Sequence, residues 1–376
     1  MILLSGPNIG GNEWKYIKDC LDTGWVSSVG AYVTQFEQMV AEFAGARFGV
    51  ATSSGTTALH MALLLEEVQA DDYVIVPNVT FVASVNSIRY VGARPILMDI
   101  DPLTWQMDLD LLADFLAEKT ELRDGECCHR ADGRRVRAIM PVHVLGNMAD
   151  MERLMGLAAQ YHLRVIEDAT ESLGSYFKGK HSGTFSRMGC FSFNGNKIIT
   201  TGGGGMIVTD DEALARKAKH LTTQAKADSF EYYHDEVGYN YRLVNTSAAM
   251  GVAQMEQLPG FIERKHAIAA IYKEGLSGVG DIGFQEVAPE VEPNWWLFTI
   301  HTERQREVLE RLNAHQMQSR PFWVPMNQLP MYREFPYIQT ADHSDRVYRT
   351  ALSIPCSTNI TDGELEQIIG KIRECY

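Results

Sequence analysis

Between about residue 45 and residue 220 the chain alternates short, continuous apolar runs with amphipathic stretches of helical period, and few architectures accommodate that order. The apolar runs at 48–52, 73–76, 94–98, 136–142, 163–166, 188–193 and 205–208 predict seven strands. Segments 56–66, 82–90 and 109–117 predict helices, the first with Leu59, Ala62 and Leu63 on one face. Strands that are apolar throughout must be covered on both faces. An α/β fold follows, with a mostly parallel sheet between helices. Ligands of such sheets sit beyond the carboxyl ends of the strands. Ser53-Ser54-Gly55-Thr56, Thr80-Phe81, His143, Asp168 and Ser192 all lie at or just past such ends.

One of these ends leads to a lysine in unusual company. Lys197 follows Phe191-Ser192-Phe193-Asn194-Gly195-Asn196 and precedes Ile198-Ile199-Thr200-Thr201 and four glycines, 202–205. Upstream, Val165-Ile166-Glu167-Asp168 is a strand that ends in acid. A lysine after a Ser-bearing strand, with a strand-terminal aspartate before it, suits pyridoxal phosphate chemistry. The amine anchors the aldehyde, and the carboxylate keeps the pyridine nitrogen protonated. A desolvated lysine loses proton affinity, which a nucleophile and proton shuttle requires.

Each companion residue also has a plainer reading. Ser54-Gly55-Thr56 offers N–H groups and hydroxyls to a phosphate at a helix N-terminus, and is also an ordinary capped helix start. Ser192 would add a phosphate hydroxyl. Asp168 meets either a ring cation or the next helix, and Phe81 either stacks on the ring or joins the core. His143 reads more simply as a satisfied structural histidine.

Bulk properties narrow the partners. Lys plus Arg number 34 and Asp plus Glu 48, a formal net charge of −14 across 376 residues, which argues against nucleic acid or an anionic membrane. No apolar run approaches the roughly 18 residues of a membrane span, and the start lacks a basic leader, so the expected location is cytoplasmic. The six cysteines form no CxxC pair, and Cys127-Cys128-His129 lacks a fourth ligand at finger-like spacing, so no metal is expected.

Residues 118–137 form a polar interruption, expected to be a surface hairpin turning at Asp132-Gly133. Residues 222–243 have no clear period and read as a long functional or interface loop. Beyond Pro259 a helix at 261–276, strands near 282–286 and 295–301, a helix at 303–315 and a last helix at 362–375 capped by Thr361 suggest a second unit. The expected division is a large cofactor-binding domain, 1–255, and a smaller C-terminal α+β domain, 256–376.

Gly24-Trp25-Val26-Ser27-Ser28, Ser53 through Leu59, Pro77-Asn78-Val79-Thr80-Phe81, Pro141-Val142-His143, Glu167-Asp168-Ala169, Ser192-Phe193-Asn194, Lys197 with its glycines, and Gly238-Tyr239-Asn240-Tyr241-Arg242 together resemble the DegT/DnrJ/EryC1/StrS family of sugar aminotransferases. The resemblance spans nearly the whole chain and implies a fold-type I enzyme with a seven-stranded sheet. It implies pyridoxal 5'-phosphate as cofactor, with pyridoxamine phosphate as its other form. Lys197 would be the covalent anchor, Asp168 the partner of the ring nitrogen, and Phe81 the stacking residue. Gly55, Thr56 and Ser192 would hold the phosphate, and Glu171 would lie near the cofactor. Asn240 would reach the phosphate in a neighbouring subunit, giving a homodimer with shared active sites. One branch of the family carries histidine in place of the lysine and dehydrates sugars; Lys197 argues against it.

By similarity, the 118–137 insertion and the segment 24–30 suggest a UDP-2-acetamido-2,6-dideoxy-hexos-4-ulose substrate, with L-glutamate as amino donor. GDP-linked (perosamine-type) and dTDP-linked keto sugars are the alternatives, and a non-catalytic cofactor-binding regulator is a third. Ser27, His143 and Arg320 are candidate substrate contacts. Lys178 and Lys180 are further candidates for the diphosphate. Trp295, Trp296 and Trp323 would flank sugar or base, or fill the core of the second unit.

Overall fold

A computed structural model describes residues 1–228 and 230–376. Its central sheet has eight strands in the spatial order 48–52, 205–209, 188–192, 164–168, 136–139, 73–77, 94–98 and 337–338. Strand Gly205–Thr209 runs antiparallel to both neighbours; the other pairings are parallel. The seven expected strands are all present. Strand Tyr73–Pro77 is buried along its length, which is why it reads as a continuous apolar run. The eighth, Tyr337–Ile338, pairs through Leu97 and Met98. Two residues are too few to show any period.

Helices Gly55–Leu65, Val82–Tyr90 and Leu109–Lys119 lie where helical period predicts them. Helices Glu13–Thr23, Ala31–Ala44 and Asn245–Met255 pack together beside the sheet, and Phe36 meets Phe193 edge-on at 4.9 Å.

The polar interruption is a hairpin, but its turn is not at Asp132-Gly133. Strands Thr120–Arg123 and Glu126–His129 are joined by Asp124-Gly125, with φ of 52° and 85°. A two-residue hairpin loop requires that left-handed pair. Asp132-Gly133 makes the following turn, closed by Gly133 N donating to His129 O at 2.8 Å. Two Asp-Gly pairs compete in the sequence, and both lie between strands; the first closes a four-pair antiparallel ladder, whereas across the second only Cys128 and Arg135 pair.

Segment 222–243 is largely irregular, stitched by isolated bridges that pair Thr223 with Asn240 and Thr52 with Arg242. Beyond it, helix Leu258–Leu276 leads to a second, antiparallel sheet of Gly283–Phe284, Phe298–His301, Ala351–Ile354 and Arg320–Pro321. Strand Phe298–His301 starts later than its apolar run, because Trp295 takes φ 53°, which a strand cannot contain. Helix Asp362–Arg373 is capped by Thr361 in a reciprocal box with Glu364. Among the described residues no helix is long and apolar enough to cross a membrane.

Candidate active site

The carboxyl ends of the parallel strands open on a cavity of about 400 Å³. One wall is the start of helix Gly55–Leu65. Ser54 caps it, with Oγ accepting from Thr57 N at 3.1 Å while Thr57 Oγ1 accepts from Ser54 N at 3.0 Å. Ser54, Gly55 and Thr56 line the cavity at the positive end of the helix dipole. A Cβ at Gly55 would lie 2.8 Å from Ser192 Cβ and 3.1 Å from Ser192 Oγ. Glycine is what lets the strand bearing Ser192 close against the helix start. Backbone donors and a hydroxyl then share one cradle, which fits a phosphate.

The next wall is the end of strand Arg164–Asp168. Asp168 is 2% exposed; its Oδ2 accepts from Ser84 Oγ at 2.6 Å and its Oδ1 from Thr170 N at 3.2 Å. Among the described residues no salt bridge reaches it. A buried carboxylate with two hydrogen bonds and no cation fits a protonated ring nitrogen. Phe81, 54% exposed at the mouth, stands edge-on to Trp323 with ring centres 6.5 Å apart. An aromatic left that open offers its face to a planar ring.

Lys197 enters from the turn after strand Met188–Ser192, its N–H donating to Asn194 O at 3.0 Å. Its Nζ lies 3.7 Å from Glu171 Oε1 and 3.7 Å from the centre of the Trp296 ring. Burial lowers its pKa from the usual 10.5, opposed by the charges of Glu171 and Asp168. Burial pushes Glu171 up to about 7, against the pull of Lys197 and of the Leu145 N–H that donates to Oε2 at 2.8 Å. Burial thus brings amine and carboxyl toward each other in proton affinity. Arg320 is the one other cation among the residues lining the cavity.

Gly55, Thr56, Phe81, Asp168, Glu171, Ser192, Lys197 and Arg320 are therefore brought together, and Ser27, His143 and Asn240 lie outside. His143 has no exposed surface and its Nε2 sits 3.2 Å from Glu167 Oε2, behind the cavity wall. Its other ring nitrogen, Nδ1, is buried and has no hydrogen-bond partner among the described residues. Ser27 is exposed between two helices, its carbonyl accepting from Asn245 N at 2.6 Å. Asn240, also exposed, accepts from Arg242 Nη2 at 3.3 Å. Both lie near a wider groove of about 830 Å³ lined by Ser28, Arg242 and Asn245. Lys178 pairs with Glu152, and Lys180 lies 4.8 Å from the Phe185 ring centre, so neither offers its charge to the cavity. Trp296 and Trp323 line it, whereas Trp295 turns away and meets Lys273 Nζ at 4.4 Å.

Ser84 is the residue that sequence reasoning misses. The signal was available, since a helix beginning at Val82, just past a strand end, presents its first turn to whatever lies there.

A family model described as the DegT/DnrJ/EryC1/StrS aminotransferase family matches residues 7–373. The chain is 38% identical over 373 residues to the GDP-perosamine synthase of Escherichia coli O157:H7, covering 98% of this chain and 97% of that protein. It is 34% identical over 381 residues to the GDP-perosamine synthase of Caulobacter vibrioides, covering 99% and 97%. Among solved structures, S. venezuelae DesV superposes with a TM-score of 0.87 at 29% identity, covering 97% of this chain and 94% of that one.

Proposed function

The chain belongs to the DegT/DnrJ/EryC1/StrS aminotransferase family, and from that premise we propose that it transfers the amino group of L-glutamate to a GDP-linked 4-keto-6-deoxy sugar of the perosamine type. The broader statement is plain: it is a pyridoxal-phosphate-dependent sugar aminotransferase. The single observation that carries the site is one cavity holding the Lys197 amine, the Asp168 carboxylate and the cradle at Gly55.

The residues present fit the cofactor. Ser54 to Thr56 and Ser192 would hold its phosphate, Asp168 its ring nitrogen, Lys197 its aldehyde carbon and Phe81 its ring face. When bound, pyridoxal phosphate supplies the carbonyl that receives the amino group and a ring that accepts the electrons of the bond being broken. Lys197 Nζ would carry a proton from the donor's α-carbon to the cofactor in one half-reaction, and from the cofactor to the sugar's carbon in the other. Glu171, with Oε1 3.7 Å from Nζ, is the carboxylate that would face the amine while it carries the proton. Ser84 keeps the Asp168 carboxylate oriented. Arg320, which lines the cavity, would receive an anionic group of either substrate, the glutamate carboxylate or the nucleotide diphosphate.

Asn240 completes this picture only in a homodimer, where its exposed amide would reach the cofactor phosphate of the other subunit. The exposed apolar residues beside the groove, Trp25 at 56% and Val29 at 63%, support a covered surface there.

The relatives favour GDP. The UDP-linked 2-acetamido sugar is the second reading, and it leaned on the 118–137 insertion and the segment 24–30. The insertion contributes no residue to the cavity lining, which weakens that support. An absorbance experiment separates the two. L-Glutamate should bleach the visible band of the yellow protein, and a GDP-linked 4-keto-6-deoxy sugar should restore it. Restoration by the UDP-linked keto sugar alone would move the assignment to UDP. No change with glutamate would overturn the catalytic reading.

A further inference from the structure

Helix Leu258–Leu276 buries an ammonium group for which the reaction has no evident use. Lys265 is 1% exposed, and its Nζ donates to the carbonyls of Trp296 at 2.7 Å and Cys356 at 2.6 Å, with the Cys356 thiol at 3.5 Å. Three acceptors meet three N–H donors, so the charge is satisfied although burial lowers its pKa. One acceptor belongs to a residue that touches the reacting amine. Trp296 Nε1 donates to Asn196 O at 2.6 Å, and its ring centre is 3.7 Å from Lys197 Nζ. Its N–H donates to Asn294 Oδ1 at 2.8 Å, and Asn294 Nδ2 donates to the carbonyls of Glu171 and Leu173, both at 2.9 Å. The tryptophan is fixed at its amide, its carbonyl and its indole nitrogen.

We propose that Lys265 is a positioning residue for the reaction: from outside the cavity it fixes Trp296 so that the indole face holds the protonated form of Lys197. The proposal rests on the reading of Lys197 as the reacting amine. Glu171, Asp168 and Trp296 face Lys197. The Cys356 thiol faces Lys265, with Tyr272 beyond it donating to Pro355 O at 2.6 Å. A cation over an indole face is favoured over the neutral amine, so the ring counteracts desolvation. Releasing the indole while the surroundings stay apolar should lower the pKa of Lys197.

The test uses cofactor-free protein and follows acylation of Lys197 by acetic anhydride against pH, quantified by peptide mass spectrometry. Trp296→Leu should move the midpoint down by roughly one pH unit, about a tenfold faster reaction at a fixed pH below it. Lys265→Met should shift it the same way, and the double variant should add nothing. Lys265→Gln, which keeps an amide donor, should fall between Lys265→Met and wild type. The proposal is overturned if Trp296→Leu leaves the midpoint in place, if both Lys265 variants do, or if the double variant sums the single shifts. It is equally overturned if neither Lys265 variant folds, since Lys265 would then serve stability alone. The readout needs no catalysis, so its failure leaves the aminotransferase reading standing, and inactivity toward glutamate would leave this titration interpretable.

Discussion

Lys197 and Lys265 are both largely withdrawn from water, and their surroundings differ. Lys265 has an acceptor for each proton, two of them main-chain carbonyls near 2.7 Å. Lys197 has a carboxylate at 3.7 Å, an aromatic face and an open cavity. Desolvation lowers the pKa of both. The fully satisfied ammonium cannot leave its place without stranding two carbonyls. The other has no such carbonyls, only a carboxylate at 3.7 Å and an aromatic face. Burial alone therefore does not mark a reactive lysine; an incomplete set of acceptors beside an opening does.

The contrast breaks most visibly in turnover. Lys197→Ala should reduce kcat by about 10³-fold or more, measured with L-glutamate, and remove the visible absorbance change. Stability should respond in opposite senses at the two sites. Lys265→Met should lower unfolding free energy in urea by on the order of 2–4 kcal/mol, because the carbonyls of Trp296 and Cys356 lose their donor. Lys197→Met in the cofactor-free protein should be neutral or stabilising. If Lys265→Met proves neutral too, the distinction drawn here is wrong.

A third experiment sharpens the comparison through pH. Glu171 has a folded pKa of about 7 against the usual 4.5, so the folded state holds its proton more tightly. The sign follows from linkage: this contribution to stability is complete below pH 4.5 and is lost as pH rises through 7. Glu171→Gln should therefore stabilise the protein more at pH 8 than at pH 4, by at most roughly 3.4 kcal/mol. An effect independent of pH would mean the carboxylate is not destabilised by its site. The smallest expected change is that of Ser84→Ala, which removes the 2.6 Å donor to Asp168. Cofactor affinity should fall by roughly five- to tenfold, about 1 kcal/mol, in a titration of the cofactor-free protein.

Much of this site was legible in the sequence, for a physical reason. A strand buried on both faces writes an apolar run, and the polar residue that ends it stands at the sheet's carboxyl edge; Asp168 and Ser192 were found that way. Lys197 was legible because small and apolar neighbours surround it. Trp296 and Lys265 make contacts that cross the chain by tens of residues, and nothing local distinguishes them; Ser84 does so too, and its one local sign is its place in the first turn after a strand end. Trp296 could be read as core or as site, and at 3% exposure with its ring over Nζ it is both. His143 reads from sequence as a structural histidine or a substrate contact, and its buried Nε2 beside Glu167 fits the structural reading. The hairpin turn misled because two Asp-Gly pairs carry the same local signal.

The short strand Tyr337–Ile338 has a consequence for how the protein is made. Until it arrives, strand Arg94–Met98 is an open sheet edge with unpaired main-chain groups, the kind of edge that recruits another chain. The ribosome adds about 240 residues between Met98 and Ile338, which at roughly 5–20 residues per second takes about 12–48 s. For that interval the nascent sheet is unsealed, and a chaperone's protection would count for more before residue 338 emerges than after it.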